Sequence, residues 1–156
     1  MKYLKYNLLV LVVAFLSMGL TSCSDTDPIY VHSDNLITAM QCCADRYSGA
    51  AKINGTILEY DSEGNLLEGD FTPEQAAGGS GVIEFIVPLE SRTEFDLTSV
   101  YLRVTGLPYD AVIYPSLTYG RHNILVDAEN PDGLVIAVQA GTGEVRKYRI
   151  MGVYAQ

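Results

Sequence analysis

Two tyrosines and an arginine in one proline-flanked stretch have side chains suited to binding a ligand. Tyr109 and Tyr119 lie on either side of Pro115, and Arg121 follows the second tyrosine. Tyrosines on loops present rigid surfaces that are apolar on the ring and polar at the hydroxyl, and such surfaces bind sugars or proteins. We therefore predict a ligand-binding patch at Tyr109, Tyr119 and Arg121. Structural tyrosines at a corner of the fold are the alternative, and the lack of tryptophan weakens the sugar-binding interpretation.

Two polar stretches near these tyrosines are candidates for metal binding or catalysis. The loop at residues 127–133 is rich in oxygen ligands, which suit calcium. It lacks the EF-hand spacing, and residues 130–133, Asn-Pro-Asp-Gly, follow a β-turn pattern. His122 has no serine or cysteine nucleophile in a recognisable motif to work with. We predict a plain turn, no metal site, no catalytic residues and no enzymatic activity.

The three cysteines divide into one near the N-terminus, Cys23, and the adjacent pair Cys42 and Cys43. Neighbouring Cα atoms are about 3.8 Å apart, whereas disulfides prefer roughly 4.4–6.8 Å, so a bond within the pair would be strained. No second cysteine or histidine stands at zinc-ligand spacing. We predict one cysteine of the pair in the core and the other partly exposed, with an intermolecular or vicinal disulfide as the alternative.

The N-terminus has the layout of a secretory signal peptide: Lys2 and Lys5, an apolar run at residues 8–16, and then small residues. The apolar run is too short to cross a bilayer, which takes about 20 residues. Residues 20–23, Leu-Thr-Ser-Cys, resemble the lipobox of bacterial lipoproteins. The resemblance implies cleavage before Cys23 and a covalent lipid on its thiol, and it implies no other cofactor. The partner predicted from this segment is the membrane.

The residues after Cys23 read Ser-Asp-Thr-Asp and continue into a polar stretch up to residue 33. Aspartate directly after the lipidated cysteine retains many lipoproteins in the inner membrane, and Ser24 occupies that place here. The acidic run also resembles the export signal of surface lipoproteins in Bacteroidetes-type bacteria. We therefore expect outer-membrane placement and exposure at the cell surface, with a solvated linker as the alternative reading of the acids.

Composition limits the partners of the processed chain. Without residues 1–22, which hold two of the ten basic residues and none of the nineteen acidic ones, the formal charge changes from −9 to −11. Such an acidic chain is poorly suited to nucleic acid or to anionic lipid headgroups. The remaining length suits one domain with its own core.

Period-two alternation dominates the chain and predicts an all-β fold. The predicted strands cover residues 36–43, 56–60, 66–71, 81–89, 99–104, 111–114, 122–126, 134–140 and 144–154. Gly64 or Asn65 is expected in a left-handed turn between the second and third of them. Residues 72–75 favour one short helical turn. An exposed edge strand is a candidate for pairing with a partner strand, and the alternative is that Lys147 and Arg149 protect the last strand as an edge.

Weak motifs in the second half resemble an Ig-like domain. They are Phe-Asp-Leu-Thr at residues 95–98, Ala-Val-Ile-Tyr-Pro-Ser at 111–116, and Tyr-Arg-Ile at 148–150. The chain is similar to β-sandwich lipoprotein domains of unknown function from Bacteroidetes-type bacteria. The resemblance implies a single Ig-like β-sandwich at residues 34–156, after a signal peptide at 1–22 and a tether at 23–33. An inserted hairpin and loop at about 44–80 departs from the pattern.

Two functions remain open at this point. The first is a non-catalytic binding or adhesion module with a glycan or protein ligand. The second is a structural accessory subunit that docks on an envelope transporter or fimbrial complex. An exposed tyrosine patch beside polar groups would favour the first, and an exposed apolar patch or an unprotected edge strand would favour the second.

Overall fold

The computed structural model describes residues 31–47 and 49–155, and this part of the chain is all-β. The predicted signal peptide, Cys23 and most of the predicted tether lie outside the described residues. No helix within the described ranges is long and apolar enough to cross a membrane. The elements are β1 (Ala39–Cys43), β2 (Lys52–Asn54), β3 (Thr56–Tyr60), β4 (Leu66–Leu67), the helical turn α1 (Pro73–Ala76), β5 (Ser80–Val87), the 3-10 turn Leu89–Ser91, β6 (Tyr101–Gly106), β7 (Val112–Tyr114), β8 (Leu134–Gln139) and β9 (Val145–Tyr154).

The strands form two sheets. The smaller sheet has the order β2-β1-β6, and the larger one has the order β4-β3-β5-β9-β8-β7. Neighbouring strands are antiparallel, except that β5 and β9 pair in parallel with Ile83 opposite Ile150. The outermost strands β6 and β7 each have a hydrogen-bonded neighbour on one side only.

One contiguous core receives side chains from both sheets. Met40 and Cys42 on β1 reach the same cluster as Phe85 on β5, Ile136 on β8 and Tyr148 on β9. Alternate residues of each strand point to one face, so the period-two pattern places the apolar set inward. Each fully buried large apolar side chain stabilises the fold by about 1.5–3 kcal/mol, which makes this shared core the main support for both sheets.

Several predictions from alternation are confirmed. The strands predicted at residues 81–89, 99–104, 134–140 and 144–154 correspond to β5, β6, β8 and β9 within two residues at each end. The hairpin of β3 and β4 is present, and Gly64 has the left-handed φ of 86°. The segment predicted as an insertion supplies β2 to the smaller sheet and β3 and β4 to the larger one.

Two predictions about strands are wrong. Residues 122–126 form no ladder but two isolated bridges, Val100 with His122 and Leu125 with Gly152. The amides of this segment bond instead to loop carbonyls such as that of Leu97. The last strand is not an edge, because β9 lies between β5 and β8. Lys147 and Arg149 therefore lie on an exposed sheet face and protect no edge.

The prediction that one of the paired cysteines is partly exposed is also wrong. Cys42 and Cys43 are both buried, and both are free thiols. Cys42 points into the core, where burial and the neighbouring Cys43 raise the pKa of its thiol to about 12. Cys43 lies on the wall of the cleft described next, where surrounding side chains cover it.

Candidate binding site between two sheet edges

A cleft of about 700 Å³ opens between β6, β7, residues 116–118 and the turn at Asp45 and Arg46. We call it the edge cleft. Its volume falls in the range of clefts that hold ligands in proteins. Strands from both sheets and two separate loops contribute to its walls, so the folded chain is needed to form it.

The edge cleft lies where both sheets end. Strand β6 pairs only with β1, and β7 pairs only with β8. Among the described residues, no backbone hydrogen bond joins β6 to β7. Edge strands present a row of backbone donors and acceptors that can pair with another chain. This side of the molecule therefore has unused backbone hydrogen-bonding capacity beside a cavity.

The floor of the edge cleft is apolar. Leu102 and Leu117 are buried, and Val104, Leu107 and Ile113 are half-buried against the core. These aliphatic groups come from β6, β7 and the loops that follow them. Apolar surface that is accessible in a cleft favours an apolar group of a ligand, because covering it removes that surface from water.

Two arginines make the rim of the cleft cationic. Arg46 and Arg103 line it, and neither guanidinium has a hydrogen bond or an ion pair with any residue that the structure describes. The Arg46 guanidinium lies 5.6 Å from the ring centre of Tyr119. Asp45 is the acidic residue of the lining, and its Oδ1 accepts a hydrogen bond from the Arg46 amide at 2.6 Å. The local charge is thus opposite in sign to that of the whole chain.

The predicted site residues Tyr119 and Arg121 lie at the Tyr101 end of the cleft. Arg121 places its guanidinium 4.7 Å from the ring centre of Tyr101, which lines the cleft, and donates from Nη1 to the Ser99 carbonyl at 2.8 Å. Tyr119 is largely exposed and does not line the cleft itself, but its ring lies against the guanidinium of Arg46, which does. Each arginine–tyrosine contact is worth about 0.5–1 kcal/mol at an exposed position.

The third predicted site residue, Tyr109, lies at the opposite end of β6. It follows Gly106, whereas Tyr101 begins the strand. Its ring makes an edge contact with His32 at 5.1 Å, and the His32 amide donates to Asp110 at 2.7 Å. The structure therefore does not bring Tyr109 and Tyr119 into one patch, because six residues of extended strand separate them.

The site residues that sequence reasoning missed are Arg46 and Arg103. They are far apart in the chain and meet only because Cys43 pairs with Tyr101 and Gln41 with Arg103 across β1 and β6. A signal for them existed in the composition, since basic residues are few in a chain with nineteen acidic ones. Two of these few basic residues line one cleft, so positive charge is concentrated there.

A second polar cluster is fully buried and has no access to the cleft. Arg146 donates from Nε and Nη2 to Glu59 Oε2 at 2.9 and 2.6 Å, and also donates to the carbonyls of Ala76, Tyr60 and Ser80. Tyr148 donates its hydroxyl hydrogen to Glu59 Oε1 at 2.6 Å. We call Glu59, Arg146 and Tyr148 the buried cluster.

The electrostatics of the buried cluster indicate a structural role. Burial raises the pKa of Glu59, and the hydrogen bonds from Tyr148 and Arg146 together with the Arg146 charge oppose that rise. Burial and the adjacent Glu59 carboxyl raise the pKa of Tyr148, so its hydroxyl keeps its proton as a donor. The Tyr148 oxygen also accepts from the Ile37 amide at 2.9 Å. The cluster has internal partners for its charges and ties β3, β9 and the segment before β1 together.

The loop at residues 127–133 forms the predicted turn. Asp127 Oδ1 accepts from the amides of Glu129 and Asn130 at 2.9 and 2.8 Å, and the Gly133 amide donates to the Asn130 carbonyl. Residues 127–133 are thus held in a turn by hydrogen bonds within the loop. His122 forms a backbone bridge with Val100, the residue before Tyr101, and is not itself among the residues that line the cleft.

No protein-family model matches the chain, and no curated protein matches it. Among solved structures, it is similar to a "putative secreted protein" from Bacteroides fragilis NCTC 9343 with 14% sequence identity. The match covers 79% of this chain and 97% of the other, with a TM-score of 0.41. A likeness at this level supports no transfer of fold, location or function to this chain.

Proposed function

We propose that the protein is a lipid-anchored, non-catalytic binding module of a bacterial envelope and that its ligand occupies the edge cleft. One observation carries the proposal: a cavity with an apolar floor lies between two unpaired sheet edges, beside two arginines without ionic partners among the described residues. Such a site can hold a ligand by backbone pairing, apolar contact and charge together.

The proposed location and fold have support from the sequence. The resemblance of the Leu-Thr-Ser-Cys run to a lipobox supports a lipid on Cys23, and the acidic residues after it favour the outer surface of the outer membrane. The two sheets share one core, as the proposed Ig-like β-sandwich requires. Long-lived membrane anchoring takes more than a single acyl chain, which a diacylated and N-acylated cysteine would provide.

Binding can be tested with full-length protein purified in detergent. Wild type, the double variant Arg46→Ser/Arg103→Ser and the control Arg149→Ser are applied to a glycan array and a peptide array. Arg149 is an exposed arginine outside the cleft, 3.4 Å from Asp132. The proposal predicts at least one probe that binds wild type and the control equally and binds the double variant at least tenfold more weakly. It is wrong if no probe on either array distinguishes the double variant from wild type.

Location is tested separately by protease treatment of intact cells. We expect the protein to be cleaved while a periplasmic control protein survives, and we expect Cys23→Ala to leave the membrane fraction. Protection of the wild-type chain from protease would contradict the surface placement. A Cys23→Ala variant that stays in the membrane pellet would contradict the lipid anchor.

One observation favours the alternative of an accessory subunit docked on an envelope complex. Ile86 and Val153 are exposed and lie opposite each other on β5 and β9, with Val135 also exposed on β8. Exposed apolar residues on a sheet face can dock against another protein. Ile86→Lys would separate the two candidates, because it should abolish docking on a complex and leave ligand binding in the edge cleft unchanged.

A further inference from the structure

We infer that the edge cleft binds an extended peptide segment of alternating acidic and apolar residues, which adds as a strand to β6. The inference rests on the proposed function and names the ligand class. It would make the partner another protein with an exposed acidic segment, and it would exclude a glycan as the main ligand of this cleft.

The free edge of β6 can receive such a strand. A shift in the pairing of β1 and β6 occurs where Ala39 faces Gly106 and Met40 faces Val104, so Thr105 is the extra residue of a bulge. The bulge blunts that end of the edge, and the Val100–His122 bridge covers the edge just before β6 begins. The regular stretch between them is Tyr101–Val104. Four residues at about 3.3 Å each give about 13 Å of edge. Strand β7 has only three residues, so β6 is the better template.

The lining of the cleft fits the alternation of a strand. Successive side chains of an added strand point to opposite faces of the sheet. One set would meet the apolar floor at Val104, Leu107 and Leu117, and the other set would meet the rim near Arg46 and Arg103. A segment with apolar and acidic residues in alternate positions satisfies both surfaces. A uniformly acidic or uniformly apolar segment satisfies only one of them.

The charge of the rim favours an acidic partner over a second copy of this chain. Antiparallel pairing of two β6 edges would bring Arg103 of each copy close together, and like charges on paired strands are destabilising. An acidic strand would meet two guanidinium groups that lack carboxylate partners in the part of the chain that the structure describes. Charge-assisted hydrogen bonds from arginine to carboxylate are among the stronger ones in proteins.

The same contacts disfavour a sugar ring. The tyrosines at this end each already have an arginine over the ring, Arg46 at Tyr119 and Arg121 at Tyr101. The side chains of the floor are aliphatic and carry no hydroxyl or amide group, and the hydroxyls of the lining belong to Tyr101, Tyr114, Ser116 and Thr118. Binding sites that recognise hydroxyls use placed polar groups, because an unpaired buried hydroxyl is costly.

The test uses full-length protein in detergent and a library of seven-residue peptides in which Glu or Asp alternates with Val, Ile or Leu. Library members with Lys in place of the acids are the charge control, and oligogalacturonate is the anionic glycan probe. We expect acidic peptides to bind, with at least tenfold loss for Arg46→Ser/Arg103→Ser and no loss for Arg149→Ser. The Lys peptides and oligogalacturonate should bind at least tenfold more weakly than the best acidic peptide.

Backbone pairing is tested with N-methylated versions of the best peptide. Methylation of alternate amides blocks one edge of a strand and leaves the other edge intact, so two complementary patterns are compared. We expect at least one pattern to weaken binding tenfold or more, because it removes the donors that face β6. If neither pattern weakens binding, strand addition is wrong, although the cleft still binds ligands as proposed.

The remaining outcomes separate the inference from the proposed function. Stronger binding of oligogalacturonate than of any acidic peptide, lost in the double variant, overturns the peptide inference and leaves the binding function standing. Concentration-dependent dimers of wild type in sedimentation analysis, with amide exchange of β6 slowed as the protein concentration rises, identify a second copy as the occupant and also overturn the inference. Absence of binding by every probe in the library and on both arrays overturns both proposals.

Discussion

Arginine and tyrosine occur together in two regions of this protein, and the two regions differ in burial and in partners. In the buried cluster, Arg146 has a carboxylate and three carbonyls within reach, and Tyr148 has both a donor and an acceptor partner. At the edge cleft, the Arg46 guanidinium lies against the Tyr119 ring, and neither it nor the Arg103 guanidinium has a hydrogen bond or an ion pair among the described residues. Internal partners stabilise the fold, whereas charges without them remain available to a ligand.

The largest expected effect on stability follows from breaking the buried cluster. Arg146→Met leaves Glu59 buried without its cation, and removing one partner of a buried ion pair costs about 3–5 kcal/mol. Urea unfolding followed by circular dichroism should show this loss in the free energy of unfolding. The control Arg149→Ser removes an exposed pair and should cost less than about 1 kcal/mol. Equal losses in the two variants would show that the buried cluster has no special structural role.

A smaller effect is expected from Tyr148→Phe. The change removes the hydroxyl that donates to Glu59 and accepts from Ile37. Glu59 keeps its hydrogen bonds from Arg146, so the Ile37 amide is the group left unsatisfied, which costs about 1–3 kcal/mol. The control variant Tyr119→Phe makes the same change at an exposed tyrosine beside the cleft. It should change the free energy of unfolding by less than about 0.5 kcal/mol because the Tyr119 ring is exposed. A loss at Tyr119 as large as that at Tyr148 would contradict the comparison.

The buried thiol of Cys42 should make the stability of the fold depend on pH. Because the pKa of Cys42 rises from 9.0 to about 12 on folding, the unfolded chain loses the thiol proton first as pH increases. The contribution of Cys42 to the free energy of unfolding is therefore fully present below pH 9, and it is lost as the pH rises toward 12. The slope is at most about 1.4 kcal/mol per pH unit. Unfolding between pH 8 and 11 should show a shallower decline in Cys42→Ala than in wild type, and an identical decline would contradict the assignment.

The smallest effect on stability, and the largest on binding, is expected for Arg46→Ser/Arg103→Ser. The variant loses one exposed arginine–tyrosine contact, worth about 0.5–1 kcal/mol, and no internal ion pair. Its unfolding midpoint in urea should lie close to that of wild type while its affinity for the acidic peptide falls at least tenfold. A loss of stability close to that of Arg146→Met would show that the rim arginines are structural.

Local patterns in the sequence allowed most strands to be predicted, but not their partners. Alternation identifies β5 and β9 because each has one buried face, yet it carries no signal for the parallel pairing that places Ile83 beside Ile150. The same alternation places Arg146 on one face of β9 with Tyr148 and Ile150, as the structure has it. It gives no signal that this charged side chain is buried, because the burial depends on Glu59, which is remote in sequence and lies on β3, on the other side of β5. The last strand was assigned to an edge for the same reason.

The candidate site was predictable only in part. Tyr119 and Arg121 were identified from residue type and from nearby prolines, and they lie at one end of the cleft. Tyr109 has the same residue type and similar exposure but lies at the other end of β6, because a strand between two residues fixes their separation. Arg46 and Arg103 were missed, since their convergence depends on the register of β1 and β6.

Amide hydrogen exchange of the full-length protein, with and without the best acidic peptide, shows where on the molecule the ligand binds. If the ligand occupies the edge cleft, exchange slows only in Tyr101–Gly106 and the segment around Arg46, with no change in β2 on the far side of the same sheet. Protection on the outer face at Ile86 and Val153, with β6 unchanged, would contradict the claim that the edge cleft is the binding site.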